Sequence, residues 1–468
     1  MKKTEAKPGD YVEVHLTKLI YEGVLLETPR TPAGTEKGIV LLKLDSGYNI
    51  GFNQKDILEI KVLRKAAVDS VPPARPKSAS DKPNIAVVIT GGTIAARLNP
   101  KKGGVDWLDT PESLFKFYPH IFEKVNLTKV EVPFMKASED MDFKDWQKLA
   151  RVVKKLLGDK NIRGVIVTHG TDFLHYTSAA LSFFLKGLEK PVVLTYSQRS
   201  IDRASSDANL NLQCAALAAT SDIAEVMIVG HGTENDDYCY AMPGTKVRKL
   251  HTSKRDAFKV VNGKPFAKIF PDRIDVLSGH NLRGGNHSMS AGSAPPTSSF
   301  RSNSHPSHPQ TPSASAKNSL AKSRFNIDSN FEEKVALVKI YPGQDPGILD
   351  YYVKQKYKGL VLEMSGLGHA PTKRARNGWT RKLKEIQDKG IVVCATAQCI
   401  HGRLDPLVYS NGRELLETGI IYLEDMLSET ALVKLGWILG HEEWAKSKET
   451  VKEKMLHNFA HEFGDKLE

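Results

Sequence analysis

Two threonines, each preceded by glycine and each at the end of an apolar run, are the residues of this 468-residue chain best suited to chemistry. The first lies in Thr90-Gly91-Gly92-Thr93-Ile94-Ala95, directly after the β-branched run at 85–89. Its paired glycines let the backbone turn sharply and leave Thr93 at the end of a strand. A plain strand-to-helix turn would account for the same hexapeptide. It is no Walker loop, because no Gly-Lys-Ser/Thr follows, and ATP chemistry on this chain is unsupported. The second threonine lies in Thr168-His169-Gly170-Thr171-Asp172 after the run at 164–167, so two strand ends can present two hydroxyls to one cleft. Asp172 would equally serve as a cap for the helix that follows. Threonine is a weak nucleophile until a neighbouring base takes its proton. Lysine can do this when burial and neighbours lower its pKa, and a carboxylate can hold its ammonium. The candidate is Lys254 in His251-Thr-Ser-Lys-Arg-Asp256, on the loop after the run ending at Val229, although by residue type alone it reads as a surface lysine.

Other chemistries find less support. There is no Gly-x-Ser-x-Gly elbow, and Cys399 in Ala397-Gln-Cys-Ile-His401 lacks the flanking glycines of a Cys-His glutaminase elbow, so it is expected in the core. Cys214, Cys239, Cys394 and Cys399 form neither a CxxC pair nor a disulfide framework and are expected as free thiols. His287, His305 and His308 sit in low-complexity sequence and read as solvated, not as metal ligands; no metal is expected.

The elements that must position the threonines are strands and helices in alternation. From residue 84 onward, short β-branched runs at 85–89, 164–167, 192–194 and 226–229 each end in a Gly, Ser or Thr loop, with helical periods at 143–157 and 204–219 between them. Such runs suit a mostly parallel sheet covered by helices, which places ligands at the carboxyl ends of its strands. A second set at 335–340, 359–363 and 391–394 predicts a smaller α/β domain over 325–468. Before these, residues 1–66 alternate as short strands, with Asp45-Ser-Gly47 as a turn, and predict a small β-barrel; 67–83, rich in Pro, Ser and Lys, reads as a linker. Between the catalytic unit at 84–283 and the last domain, 284–324 holds Ser, His, Pro and Asn with almost no apolar residue, a composition expected to remain disordered.

The length calls for two or three domains. No apolar run is long enough to span a bilayer and no apolar stretch follows the basic start, so a cytoplasmic protein without membrane association is expected. A formal charge of +12 favours a polyanionic partner such as RNA, and Lys373, Arg374, Arg376, Arg381, Lys382 and Lys384 could touch one, although a solvated helix face explains them as well.

Thr-Gly-Gly-Thr-Ile-Ala, Thr-His-Gly-Thr-Asp, Ser138-Glu139-Asp140-Met141 and the Thr-Ser-Lys loop together resemble the type I asparaginase family over about 84–283 and 325–445. The amino-terminal unit, with Tyr21-Glu-Gly-Val-Leu25 and Leu44-Asp-Ser-Gly-Tyr-Asn-Ile50, is similar to the D-subunit family of archaeal glutamyl-tRNA(Gln) amidotransferases, a part that plain asparaginases lack. The resemblance implies Thr93 as leading nucleophile, Thr171, Asp172 and Lys254 as a proton-handling cluster, and Ser138 and Glu139 as the grip on the substrate's α-carboxylate and α-amine. Ser138 and Glu139 could instead cap the 143–157 helix. Family members often carry a tyrosine just after the first threonine; 97–103 has none, which leaves a lid tyrosine unassigned.

The same resemblance implies hydrolysis of glutamine or asparagine to supply ammonia, with no cofactor on this chain. A partner of the E-subunit type would bind ATP and Mg and convert Glu-tRNA(Gln) to Gln-tRNA(Gln). A homodimer of this chain within a heterotetramer is implied as well. A free-standing L-asparaginase and a decayed RNA-binding scaffold are the alternatives, and the residues at 93, 171, 172 and 254 count against decay.

Overall fold

A computed structural model describes residues 6–66 apart from 28–29, 32–33, 36–37 and 46–47, together with 81–99, 104–107, 123–201, 203, 205–281 and 325–464. Residues 67–80 of the linker expected at 67–83, the 284–324 insertion with its three histidines, and 100–103 of the loop after Thr93 lie outside the described residues.

The amino-terminal unit contains β1 (Tyr11–Leu16), β2 (Ile20–Leu26), β3 (Ile39–Lys43), β4 (Asn49–Asn53) and β5 (Ile57–Arg64). They pair as one antiparallel sheet in the order β4-β3-β2-β1-β5. Two register shifts along the β1–β5 pairing bend this sheet round a small core of Val12, Val14, Leu25, Leu42, Phe52 and Ile57. Asp10 ties the ends together by accepting from the backbone N–H groups of Lys7 and Ala66.

The central unit is built on an eight-stranded sheet. Strands β6 (Asn84–Ile89), β7 (Asn126–Glu131), β8 (Ile162–Thr168), β9 (Val192–Thr195) and β10 (Val226–His231) run parallel in the order β7-β6-β8-β9-β10. Antiparallel strands β11 (Cys239–Pro243), β14 (Ala267–Ile269) and β15 (Ile274–Val276) extend that edge, and a separate hairpin joins β12 (Val247–Lys249) to β13 (Phe258–Val260). The helices are α1 (Phe143–Leu157), α2 (Leu174–Phe184) and α3 (Ala208–Thr220). Helix α1 starts where a capping box allows: the Asp142 side chain accepts from the N–H groups of Lys144 and Asp145, and Asp145 accepts from that of Asp142. Its apolar stripe of Leu149, Ala150, Val153, Leu156 and Leu157 faces the sheet core. Helix α3 begins at Ala208, four residues later than its apolar period suggests, because the Asp207 carboxylate accepts from the N–H groups of Gln198 and Arg199.

The last unit has a four-stranded parallel sheet, β16 (Val335–Lys339), β17 (Gly359–Met364), β18 (Val392–Ala397) and β19 (Ile421–Tyr422), in sequential order. Around it lie α4 (Ile348–Lys354), α5 (Thr380–Asp388), α6 (Ser410–Leu416), α7 (Ser428–Leu439) and α8 (Lys448–Leu456). Helix α7 packs on α2, with Phe183 stacked on Trp437 at 5.4 Å, so one apolar core spans the central and last units. The tail returns over this junction: Glu462, fully buried, pairs with the buried Lys434 at 2.6 Å. All four cysteines are free thiols, but Cys399 is exposed in the turn after β18, a correction to its expected place in the core. The apolar strand that precedes it ends at Ala397, so the cysteine falls on the loop beyond the sheet.

Candidate active site

The turn after β6 is shaped by contact with the turn after β8. Gly92 has a φ of +85°, a conformation side chains rarely adopt, and a Cβ there would lie 2.5 Å from Gly170 Cα. Only glycine permits that approach, and it brings the loop carrying Thr93 against the loop carrying Thr171. Thr90 binds the two together, since its N–H and its hydroxyl both donate to Thr168 O, at 3.2 and 2.8 Å. Thr93 then opens a single 3₁₀ turn, Thr93–Ala95, anchored by the buried Ile94 and Ala95.

A third loop closes on the same place. Lys136 N–H donates to Thr90 O, and Ser138 lies so near Gly170 that a Cβ on the glycine would be 3.1 Å from the serine's N, Cβ and Oγ. Ser138 is buried; its Oγ accepts from Phe173 N–H at 3.2 Å and donates to Glu139 Oε2 at 3.3 Å. The cap of α1 is Asp142, not this pair, which leaves the exposed Glu139 carboxylate available to a ligand.

Thr171 is buried, whereas the Asp172 side chain is largely exposed. Helix α2 starts after Phe173 and no side chain caps it, so Asp172 is not a helix cap. Both residues bind one amine. Lys249 Nζ donates to Thr171 Oγ1 and to Asp172 Oδ1, each at 2.8 Å, with only 10% of its side chain exposed.

Lys249 takes the place expected for Lys254, which the structure sets elsewhere. Lys254 sits in the turn of the β12–β13 hairpin, half exposed, with Nζ 3.3 Å from Glu234 Oε1. The reason is strand geometry. Side chains two apart on a strand share a face, so Lys249 lies on the side of the buried Val247, and Lys254 belongs to the polar turn that follows. Three residues carry that pattern too briefly to mark the lysine in the sequence.

Two histidines behind the site are held neutral. Complete burial pushes His169 down to about 4 despite its contact with Gly170 O, and burial followed by the charges of Arg248 and Lys249 pushes His175 to about 3. Two hydroxyls at strand ends, one amine shared between a hydroxyl and a carboxylate, and a serine–glutamate pair beside them are groups of the kind that acyl transfer from a small zwitterionic amide requires.

The fold and this cluster define the class, an asparaginase-like amidohydrolase. Residues 84–281 match the Asparaginase, N-terminal family and 334–455 the Glutaminase/Asparaginase C-terminal domain. The chain superposes on the thermostable L-asparaginase from Thermococcus kodakarensis with a TM-score of 0.65 and 25% identity, covering 82% of this chain and 100% of that one. It also matches L-asparaginase I from Vibrio cholerae in fold, with a TM-score of 0.62, 24% identity, and 81% and 99% coverage.

Residues 6–63 match the GatD N-terminal domain. Over the whole chain, the D subunit of glutamyl-tRNA(Gln) amidotransferase from Pyrococcus abyssi is 41% identical, covering 99% of this chain and 96% of the relative. That of Archaeoglobus fulgidus is 37% identical, with 96% and 94% coverage. The chain belongs to the family of glutamyl-tRNA(Gln) amidotransferase D subunits.

Proposed function

We propose that this chain is the amide-hydrolysing subunit of a tRNA-dependent amidotransferase, releasing ammonia from glutamine or asparagine for the conversion of Glu-tRNA(Gln) to Gln-tRNA(Gln). The observation that carries the reading is the Lys249 amine shared by Thr171 and Asp172, beside the loop that presents Thr93. In this mechanism a threonine Oγ, Thr93 in the leading assignment, attacks the side-chain carboxamide carbon while its proton passes to the Thr171–Lys249–Asp172 relay. The tetrahedral intermediate collapses, the C–N bond breaks, and the relay returns the proton to the leaving nitrogen as ammonia. Water then adds to the threonine ester, and the threonine leaves as the amino acid's carboxylate forms. Asp172 orients the lysine, and Ser138 with Glu139 holds the α-carboxylate and α-amine.

ATP and Mg act on a partner of the E-subunit type in this reading. This chain works as a homodimer within a heterotetramer in the cytoplasm. Among the described residues no helix is long and apolar enough to cross a membrane. The amino-terminal sheet, which lies outside the asparaginase-like units, supports the coupled enzyme over a free-standing asparaginase.

The test is hydrolysis of L-glutamine and L-asparagine by the full chain alone, then with its amidotransferase partner, ATP and Glu-tRNA(Gln). Hydrolysis should rise with the complete set, and Gln-tRNA(Gln) should form. Hydrolysis indifferent to partner and tRNA would identify a free-standing asparaginase.

A further inference from the structure

The strand that delivers Lys249 pairs with β13, and the segment leading into it is tied to the last unit. Thr245 O accepts from the Thr430 hydroxyl at 2.7 Å, and the Thr245 hydroxyl donates to Ala460 O at 2.7 Å. Lys246 Nζ donates to Asp425 Oδ2 at 2.7 Å in a buried pair. Arg248 Nε lies 3.1 Å from Glu429 Oε1. Neighbouring residues on a strand point to opposite faces, so when Arg248 is fixed toward α7, Lys249 is aimed toward Thr171.

Glu429 also reaches the other half of the relay. The same Oε1 stands 3.9 Å from Nε2 of the neutral His175, a packing contact beyond hydrogen-bond range, and His175 lies three residues after Asp172, in the first turn of α2. A single carboxylate from the last unit therefore meets both the element behind Lys249 and the element behind Thr171 and Asp172. It is buried, and its second oxygen has no hydrogen-bond partner among the described residues. A carboxylate so placed opposes stability where an apolar residue would serve packing better, which argues for a role other than holding the core.

We propose that Glu429 is a positioning residue for amide hydrolysis, setting the register between Thr171 and Lys249 through Arg248 and His175. The inference rests on the reading of that pair as the proton relay. Misplacement of a reacting group by about 1 Å costs on the order of 10²-fold in rate.

The experiment measures kcat and KM for L-glutamine and L-asparagine with the full chain and its Glu429→Gln, Arg248→Gln, doubly substituted and Lys249→Met variants, well below each melting temperature. Glu429→Gln and Arg248→Gln should each lower kcat about 10- to 100-fold with KM little changed. The double variant should be no slower than the slower single one, because the two residues act as one unit. Wild-type kcat in either single variant, or losses that multiply, would overturn the proposal. If Glu429→Gln does not fold, Arg248→Gln decides by itself, since the arginine is partly exposed and outside the core. Lys249→Met separates the two ideas. Full activity there removes the relay itself, whereas loss there beside unaffected Glu429 and Arg248 variants removes the positioning role alone.

Discussion

A side chain on Gly92 would run into Gly170, its Cβ 2.5 Å from the neighbouring Cα. The two glycines are 78 positions apart in sequence, yet their contact sets the spacing of both threonine loops. Gly92→Ala has to open that contact and also accept a φ of +85°, so it should cost more than about 1 kcal/mol of stability and at least tenfold in kcat. Chemical denaturation and steady-state turnover measure the two effects. An alanine variant with full kcat would mean that the close approach does not position the threonines.

Ser138 and Glu139 are expected to act on binding. Ser138→Ala removes a hydroxyl that would bond a charged group, a loss of about 1.5–3 kcal/mol, so KM should rise tenfold or more. Glu139→Gln should raise KM in the same direction by weakening its hold on the α-amine. Saturation kinetics with L-asparagine and L-glutamine are the check, and a fall in kcat at constant KM would assign the pair to chemistry instead.

The buried His169 gives a pH dependence with a definite sign. Its pKa in the folded chain is about 4, against about 6.5 when unfolded, so between those values the unfolded state binds more protons. Its contribution is whole above about pH 6.5 and drains as pH falls toward 4, at up to about 1.4 kcal/mol per pH unit. His175 adds in the same direction. Urea unfolding from about pH 6.5 to about 4.5 should show a shallower slope for His169→Gln than for the parent chain, by about one proton. Equal slopes would mean that His169 is not held neutral.

Elements that form from local pattern were legible in the sequence. The run at 85–89 is buried on both faces as a central strand, and α1 spans the 143–157 period because its apolar stripe and its Asp142 cap agree. Thr93 and Thr171 each follow a glycine just beyond an apolar run, whereas Ser138 and Glu139 carry no such mark and stand out only through the family resemblance; the folded loops place Ser138 against Gly170 and Gly92 against the same glycine. The two lysines are told apart only by the fold: Lys249 ends the three-residue strand Val247–Lys249, whereas Lys254 lies in the hairpin turn beyond it. A strand of three residues is too short for its facing pattern to stand out from a polar hairpin. The tie between the last unit and the segment leading into that strand has no signature in the sequence, since the Thr245–Thr430 bond joins residues 185 apart. Cys399 was misplaced for a simpler reason, that its strand stops two residues earlier.

The central claim is that Lys249 handles the proton for the threonines, and the most direct measurement compares turnover of L-glutamine and L-asparagine by Lys249→Met and Lys254→Met. Lys249→Met loses the amine bonded to Thr171 and Asp172, and should fall by about 10²–10⁴ in kcat. Lys254→Met loses only a half-exposed pair with Glu234 and should turn over within about twofold of the parent chain, as exposed ion pairs contribute little. The reverse outcome, an active Lys249→Met and an inactive Lys254→Met, would contradict the account.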